Sequence, residues 1–161
     1  MHTRSKRLTT MEETEVNISL VSVSEVKGAT AFNRRALRHL GHTPLNVDLN
    51  VRAVPDIERS IISLVVSCSY IGVFDFIRTR VFTCAVVVNF EVPGLGAILA
   101  LQGEDYVVSG KVMSTMLGMA VGALRGVIAV RTADTPLRFR PLPIIDLTAL
   151  MYRMQFASAR K

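Results

Sequence analysis

Few residues of this 161-residue chain have the spacing of catalytic or metal-binding groups. The carboxylates lie mostly in polar or turn-like segments, and the adjacent pair Glu104-Asp105 is typical of a solvated loop or a helix start. His39 and His42 are three residues apart, but the sequence has no CxxC and no Cys/His cluster at metal-ligand spacing. No P-loop, G-x-G-x-x-G or G-x-S-x-G motif is present. We therefore predict no catalytic residue, no metal site and no cofactor, and we expect that the chain is not an enzyme.

Arg125 is the one ionisable residue that the sequence predicts to be buried, because its neighbours in a helical segment are apolar. A buried guanidinium needs hydrogen-bond acceptors, so we expect Arg125 to bond loop carbonyls or a carboxylate within the fold. The enzymatic alternative would assemble a site from Arg125, Tyr106, Asp134 and Asp146, and it would require a pH-dependent activity.

The two cysteines, Cys68 and Cys84, lie in apolar runs that read as strands. Free cysteines in such runs behave as small hydrophobic residues, so we predict buried thiols. If the two strands are neighbours, the thiols lie close together, but the sequence does not establish a disulfide.

The element around which these residues must be arranged is a helix over residues 109–131. Its large apolar residues recur at three- and four-residue steps, as on one helix face. Each interior glycine costs about 1 kcal/mol of helix propensity, so a row of small residues four apart predicts a compensating close contact. That contact is either with the chain's own sheet or with a second subunit. A membrane span is the third interpretation, although Lys111, Arg125 and Arg131 interrupt the segment. The packing residues of this row are Ser114, Gly118, Gly122 and Gly126, preceded by Gly110.

Four strands are predicted before this helix. The first starts near residue 15 and continues towards residue 32, and a change of parity at Leu20-Val21 predicts a β-bulge. A polar connection over residues 33–44 leads to strands at 45–53, 60–71 and 75–92, with Gly72 breaking the third. Residues 81–88 are apolar on both faces, which predicts cover on both sides.

Strands followed by helices indicate an α+β fold with one face of the sheet covered. We predict a four-stranded antiparallel sheet followed by a long helix, a proline-bearing crossover and a short C-terminal helix with Asp146 as N-cap. The predicted organisation is a disordered tail at 1–14, one domain at 15–156 and a basic tail at 157–161. Met11 is an alternative start. No signal peptide or membrane-spanning run is recognised, which favours a cytoplasmic protein.

The net charge of +6 allows an acidic partner or nucleic acid without requiring either. The densest basic group consists of Arg34, Arg35, Arg38, His39 and His42. Its one aromatic neighbour is Phe32.

The order of the predicted elements and the C-terminal third resemble the SecB family of protein-export chaperones. The resemblance rests on Met116-Leu-Gly-Met, the helical Arg125, the proline-bearing crossover and the run that begins at Leu142. The family signature Pro-Ile-(Asp/Asn)-Phe-x-x-Leu-Tyr reads here as Pro143-Ile-Ile-Asp-Leu-Thr-Ala-Leu-Met-Tyr, with one extra residue before the Asp or the Tyr. The similarity covers roughly residues 15–152.

The resemblance implies a chaperone that works without ATP. Members of the family are dimers of dimers that bind unfolded clients along apolar surface grooves. Classical members pass clients to the SecA motor, and others serve toxin–antitoxin systems. For this chain it implies a homodimer or homotetramer that binds unfolded polypeptide clients. The candidate client-binding residues, for each of which a place in the core is the equal alternative, are Phe32, Tyr70, Phe74, Phe76, Phe82 and Phe90.

The chain departs from the classical pattern in charge and in one motif. Classical members are acidic and use acidic sheet residues to contact SecA, whereas two strands here carry Arg52, Arg78 and Arg80. Val121-Gly122-Ala123 replaces the cysteine-proline pair that precedes the helical arginine. A SecB-like fold with a partner other than SecA is therefore the preferred form of the hypothesis. The alternative is a small non-enzymatic α+β binding or scaffold protein for an acidic partner or nucleic acid, recognised by strongly salt-dependent binding.

Overall fold

A largely antiparallel sheet carries helices on one face in the computed structural model, which describes residues 17–96 and 110–156. The long helix and the short C-terminal helix both follow the main strands, so the predicted α+β class is confirmed. The predicted tails at 1–14 and 157–161 lie outside the described residues, as do Glu104, Asp105 and Tyr106.

The sheet has the order β1-β5-β4-β3-β6, and β2 also pairs with β5. Its pairings are antiparallel except for the parallel pair of β3 with β6. Thus the four predicted strands are present, and the two-residue strand β6 is added beside β3. The bounds are β1 Ser19–Glu25, β2 Ala31–Phe32, β3 Leu45–Asp56, β4 Ile61–Phe74, β5 Ile77–Glu91 and β6 Gln155–Phe156.

The first predicted strand is divided into β1 and β2. Gly28 adopts a φ of 77° between them, in the left-handed region that glycine tolerates best, and turns the chain. The predicted bulge is confirmed, because the register of β1 on β5 shifts between Leu20 and Ser22.

The predicted polar connection contains a helix that the sequence analysis missed. Helix α1, Arg34–Arg38, begins after Asn33, whose Oδ1 accepts a hydrogen bond of 3.0 Å from the N–H of Ala36. Ala36 and Leu37 are buried, so one side of this turn belongs to the core while its arginines face outward. The arginine-rich composition masked this short amphipathic pattern.

The remaining helices are α2, Gly110–Arg131, and α3, Leu147–Arg153, with a 3₁₀ turn at Pro136–Phe139 between them. The predicted N-cap is confirmed: Asp146 Oδ1 accepts a 3.1 Å hydrogen bond from the N–H of Ala149.

The core lies between α2 and the inner face of the sheet. Alternate residues of β3, β4 and β5 point to α2, and burying such aliphatic rows contributes roughly 25 cal/mol per Å² of apolar surface. Side chains at the centre of this layer include Leu64, Val66, Val86, Val88, Met116, Leu117 and Leu124.

The cover predicted on both faces at 81–88 is confirmed for the inner face, and within one chain the cover of the outer face is partial. Val81 and Ala85 are buried, but Thr83 and Val87 are only half-buried, and the described helices pack into the core on the inner face. Asn89 joins neighbouring strands on the outer face: it accepts a hydrogen bond from Ser63 Oγ and donates one of 2.8 Å to Ser22 Oγ.

Candidate client-binding surface

The six candidate aromatic residues separate into a buried and an open group. Tyr70, Phe82 and Phe90 are each at most 1% exposed and lie in the core, so the prediction that they meet a client at the surface needs correction. Their positions on the inner face of β4 and β5 place them beneath α2. Phe32 and Phe74 are half-buried, and Phe76 is fully exposed.

Phe76 occupies a strained position at the tip of the β4–β5 hairpin. Phe74 pairs with Ile77, and the two intervening residues, Asp75 and Phe76, have positive φ values of 48° and 65°. Such a pair of left-handed residues is the type I′ turn, which favours Asn-Gly or Asp-Gly. A non-glycine residue there costs roughly 1–2 kcal/mol. The fold tolerates this strain and thereby projects an aromatic ring into solvent.

The residues around Phe76 extend the apolar tip. Val73 is 60% exposed, Ile77 is 66% exposed and Phe76 is 103% exposed relative to an extended peptide. Several exposed apolar side chains gathered at one end of a hairpin are typical of an interaction site. We call Val73, Phe76 and Ile77 the hairpin tip.

Behind the tip, Phe74 is held close to the backbone of Gly72. A Cβ added to Gly72 would lie 2.8 Å from Phe74 Cε2 and 3.1 Å from Leu45 Cδ2. The predicted break at Gly72 is therefore wrong, since β4 continues to Phe74. Glycine is needed here because the ring of Phe74 lies where a side chain would be.

Helix α1 separates two grooves. The hairpin groove, of about 710 Å³, lies between α1 and the hairpin, and Ala36, Phe74 and Ile77 form its apolar part. The Phe32 groove, of about 590 Å³, lies between α1 and the end of α2, with Phe32 and Leu37 as its apolar side chains. With the hairpin tip, these grooves form one aromatic and apolar region, which we call the hairpin-end surface.

The floor of the Phe32 groove is anchored in the core. The ring centroid of Phe32 is 4.8 Å from that of Phe82, and Phe82 is 5.7 Å from Tyr70. This series of aromatic contacts fixes the Phe32 ring before any ligand arrives, which lowers the entropy cost of binding.

Arg125 makes the predicted hydrogen bonds, although its side chain is exposed. Its Nη2 donates to the carbonyl of Pro143 at 2.9 Å, and its Nε donates to that of Leu142 at 3.4 Å. The prediction of loop carbonyls is confirmed, whereas the prediction of burial is wrong. The residue ties α2 to the crossover before α3.

The row of small residues on α2 faces away from the sheet. Ser114 and Gly118 are half-buried, whereas Gly122 and Gly126 are exposed. A Cβ at Gly118 would be 3.5 Å from Leu147 Cδ1, and a Cβ at Gly122 or Gly126 would meet nothing within 4 Å. Packing of this row on the chain's own sheet is therefore wrong. Contact with a second subunit stays a prediction.

Helix α2 is long and apolar enough to cross a membrane by length and composition alone. A core helix passes the same test. Met116, Leu117 and Leu124 of α2 are fully buried in the core, which accounts for the apolar composition of this helix.

The groups considered for chemistry have separate places in the described parts of the chain. Cys68 and Cys84 are direct cross-strand partners on β4 and β5 and are buried free thiols, as predicted. The hydrogen bond with Cys84, followed by burial, raises the pKa of the Cys68 thiol far above its usual range. Asp134 lines the Phe32 groove, and Asp146 caps α3. Among residues 17–96 and 110–156, no three His, Cys, Asp or Glu side chains form a group that could hold a metal ion.

Comparison with known proteins gives no match to a family model. No curated protein matches the chain either.

Two solved structures are similar to it. One is a SecB-like chaperone of Mycobacterium tuberculosis in complex with a ChAD peptide from an antitoxin, with 12% identity, a TM-score of 0.43 and coverage of 81% of this chain and 86% of that chain. The other is a protein of unknown function from Streptococcus agalactiae, with 12% identity, a TM-score of 0.42 and coverage of 81% and 98% respectively. At these values neither likeness bears on what this chain binds.

Proposed function

We propose that this protein is an ATP-independent, SecB-like chaperone that binds unfolded polypeptide clients on the hairpin-end surface. The observation that carries the proposal is the hairpin tip, where Phe76 is held in a strained conformation with its ring fully exposed. A stable fold has no use of its own for an unburied aromatic ring in a costly backbone conformation, whereas a binding surface does.

Unfolded clients suit this surface better than a compact ligand. The two grooves are open and both border α1, and apolar side chains are spread from Phe32 through Phe74 to the tip. An extended chain meets several such subsites at once, and each adds affinity without demanding one sequence. The sequence has no phosphate-binding glycine motif, which is consistent with binding that needs no nucleotide.

We also propose that the chaperone is a homodimer or homotetramer. Two surfaces support this. The β1 edge strand presents Leu20, Val21 and Val23 to solvent without a lysine or a proline to block pairing. The outward glycine row of α2 leaves room for close approach of another helix. The proposed location is the cytoplasm. Delivery to SecA is not included, because the sheet carries arginines where classical members carry acids.

A binding module for an acidic protein or a nucleic acid is the second candidate. It is favoured by Arg34, Arg35 and Arg38, which project from α1 beside both grooves. Such a module would bind folded acidic proteins or RNA with a steep dependence on salt, and it would ignore neutral unfolded chains.

The test is light scattering of the protein alone and with a reduced, unfolded client in the absence of ATP. We expect a dimer or tetramer that forms a stoichiometric complex. Phe76→Ser should weaken the complex, whereas Tyr152→Ser, which removes an exposed aromatic ring from α3, should leave it unchanged. A monomer that ignores unfolded chains would contradict the proposal.

A further inference from the structure

We infer that the client segments bound by the hairpin-end surface are acidic, with carboxylates next to apolar side chains. This inference rests on the proposed chaperone function and names the class of client. The observation that supports it is the placement of the basic side chains of α1 along the two grooves.

Helix α1 directs one pair of basic residues to each groove. Arg34 and Arg38, four residues apart, line the Phe32 groove together with Leu37. Arg35 and His39, also four apart, line the hairpin groove. Each groove thus joins an apolar wall to basic side chains. A peptide that places an apolar residue on the wall brings its neighbouring side chains to the arginines.

The arginines of α1 form no ion pair within the parts of the chain that the structure describes. There, the side chains of Arg34, Arg35 and Arg38 form neither an ion pair nor a hydrogen bond. The same is true of Arg80 in β5. Like charges four apart on a helix repel each other, so α1 carries a local cost that an anion would remove.

Other arginines near this surface are already engaged. Arg131 Nη2 lies 2.9 Å from Glu25 Oε1, and Arg78 Nη2 lies 3.4 Å from Asp48 Oδ2. Arg140 donates to the carbonyls of Thr43 and Gly41. The cations of α1 are therefore distinct from those that hold the fold together.

The grooves contain few anions of their own. Asp134 lines the Phe32 groove and Asp75 lines the hairpin groove, one carboxylate in each. In the Phe32 groove the two α1 arginines outnumber Asp134, so an incoming segment with several carboxylates meets a net positive charge there, which favours its encounter and its alignment. In the hairpin groove Asp75 offsets Arg35 when histidine is counted as neutral.

Polypeptide fits this surface better than nucleic acid. Beside the arginines stand Leu37, Phe74 and Ile77 in the grooves and Phe76 at the tip. Leu37 and Ile77 offer no stacking platform for bases, and one face of the Phe32 ring is occupied by Phe82 at 4.8 Å. Phe74 is half-buried, which leaves Phe76 as the one fully exposed ring of this surface. Leucine, valine or phenylalanine side chains of a client fill such subsites directly.

The test measures fluorescence anisotropy of labelled, extended peptides that carry leucine at alternate positions. The intervening positions are glutamate in one peptide, glutamine in a second and lysine in a third. We expect the glutamate peptide to bind about fivefold more tightly than the glutamine peptide at low salt, and the difference to shrink as salt is raised. The lysine peptide should bind most weakly.

The double variant Arg34→Gln/Arg38→Gln should bring the glutamate peptide to the affinity of the glutamine peptide. Arg52→Gln/Arg153→Gln changes the net charge equally at the other end of β3 and should keep the preference. Because all four arginines are exposed, both variants are expected to fold, and circular dichroism checks this.

Three outcomes would overturn the inference. Equal binding of the glutamate and glutamine peptides removes the acidic preference and leaves the chaperone proposal intact. Failure of every peptide and of a reduced, unfolded client removes both. An RNA oligonucleotide that displaces the glutamate peptide and binds more tightly, with the same loss in Arg34→Gln/Arg38→Gln, assigns the arginines to nucleic acid instead.

Discussion

Aromatic residues occur both on the inner face of the sheet and at the hairpin end. Those on the inner face are buried, whereas those at the hairpin end are half-buried or exposed. Phe82 and Tyr70 lie under α2, where both are almost completely buried. Phe74 and Phe76 lie only a few residues from Tyr70 along the chain, yet one is half-buried and the other entirely in solvent. The difference follows position along the hairpin: Tyr70 and Phe82 belong to the core cluster, Phe74 packs at its edge at the end of β4, and Phe76 lies in the turn that follows. An aromatic residue thus stabilises the fold in one region and is available for binding in the other.

Phe82→Ala gives the largest test of this contrast. Removing a fully buried phenylalanine should lower the free energy of unfolding by about 3–5 kcal/mol, because lost burial and a new cavity add together. Urea unfolding followed by circular dichroism measures it. If Phe82→Ala lowered the free energy of unfolding by no more than the substitution of an exposed residue does, the placement of Phe82 in the core would be wrong.

Tyr70→Phe should act in the opposite direction. The buried Tyr70 hydroxyl has no hydrogen-bond partner among the described residues, so removing it should raise the free energy of unfolding by about 1 kcal/mol. Destabilisation by this variant would reveal a partner for the hydroxyl.

The same residue predicts a pH dependence. Burial raises the pKa of Tyr70 from 10.0 to about 12. The unfolded state therefore loses its proton first, and stability falls as the pH rises from about 10 towards 12. Denaturant titrations at alkaline pH should show a shallower fall for Tyr70→Phe than for the wild type. If both proteins lost the same stability over this pH range, the raised pKa of Tyr70 would be contradicted.

Phe76→Gly should stabilise the fold slightly. Glycine accepts the positive φ at this position, and Phe76 buries no surface that would be lost, so a gain of about 0.5–1 kcal/mol is expected. The same variant should weaken client binding. If Phe76→Gly lowered the free energy of unfolding, the ring of Phe76 would have to contact the rest of the fold. If the variant bound clients normally, the strained conformation of Phe76 would have no role in client binding.

Gly126→Ala tests the outer face of α2 with an effect of similar size. Alanine should add about 0.5–1 kcal/mol through helix propensity, because no atom lies within 4 Å of the new Cβ. This gain applies at concentrations where the chain is monomeric, and sedimentation identifies that range.

Gly122→Leu is the matching test of the assembly. The fold of one chain has space for this side chain, whereas a close helix contact between subunits does not. We expect smaller particles in light scattering with an unchanged secondary structure. An unaltered oligomer would remove the glycine row from the proposed interface.

Much of the fold was predictable because the patterns that specify it are local. The alternation in β3 and the three- and four-residue steps of α2 each report which side chains are buried. The bulge at Leu20 and the cap at Asp146 were recognised in the same way.

The candidate surface was less predictable, because a local sequence pattern does not reveal which part of a strand is buried by other elements of the fold. Tyr70, Phe82 and Phe90 share a parity that marks burial, and Phe74 has the parity of Tyr70 yet is only half-buried. Helix α1 was missed because three arginines in five residues obscured its two buried positions. The direction of the glycine row depended on which α2 face meets the sheet, and the larger apolar residues took that face.

Amide hydrogen exchange with and without a reduced, unfolded client tests the central claim most directly. If the hairpin-end surface binds clients, added client should slow exchange in β2, α1 and the residues flanking Phe76, while the outer sheet face around Ser63 and Asn89 stays unchanged. Protection confined to that outer face, with none at the hairpin end, would contradict the account.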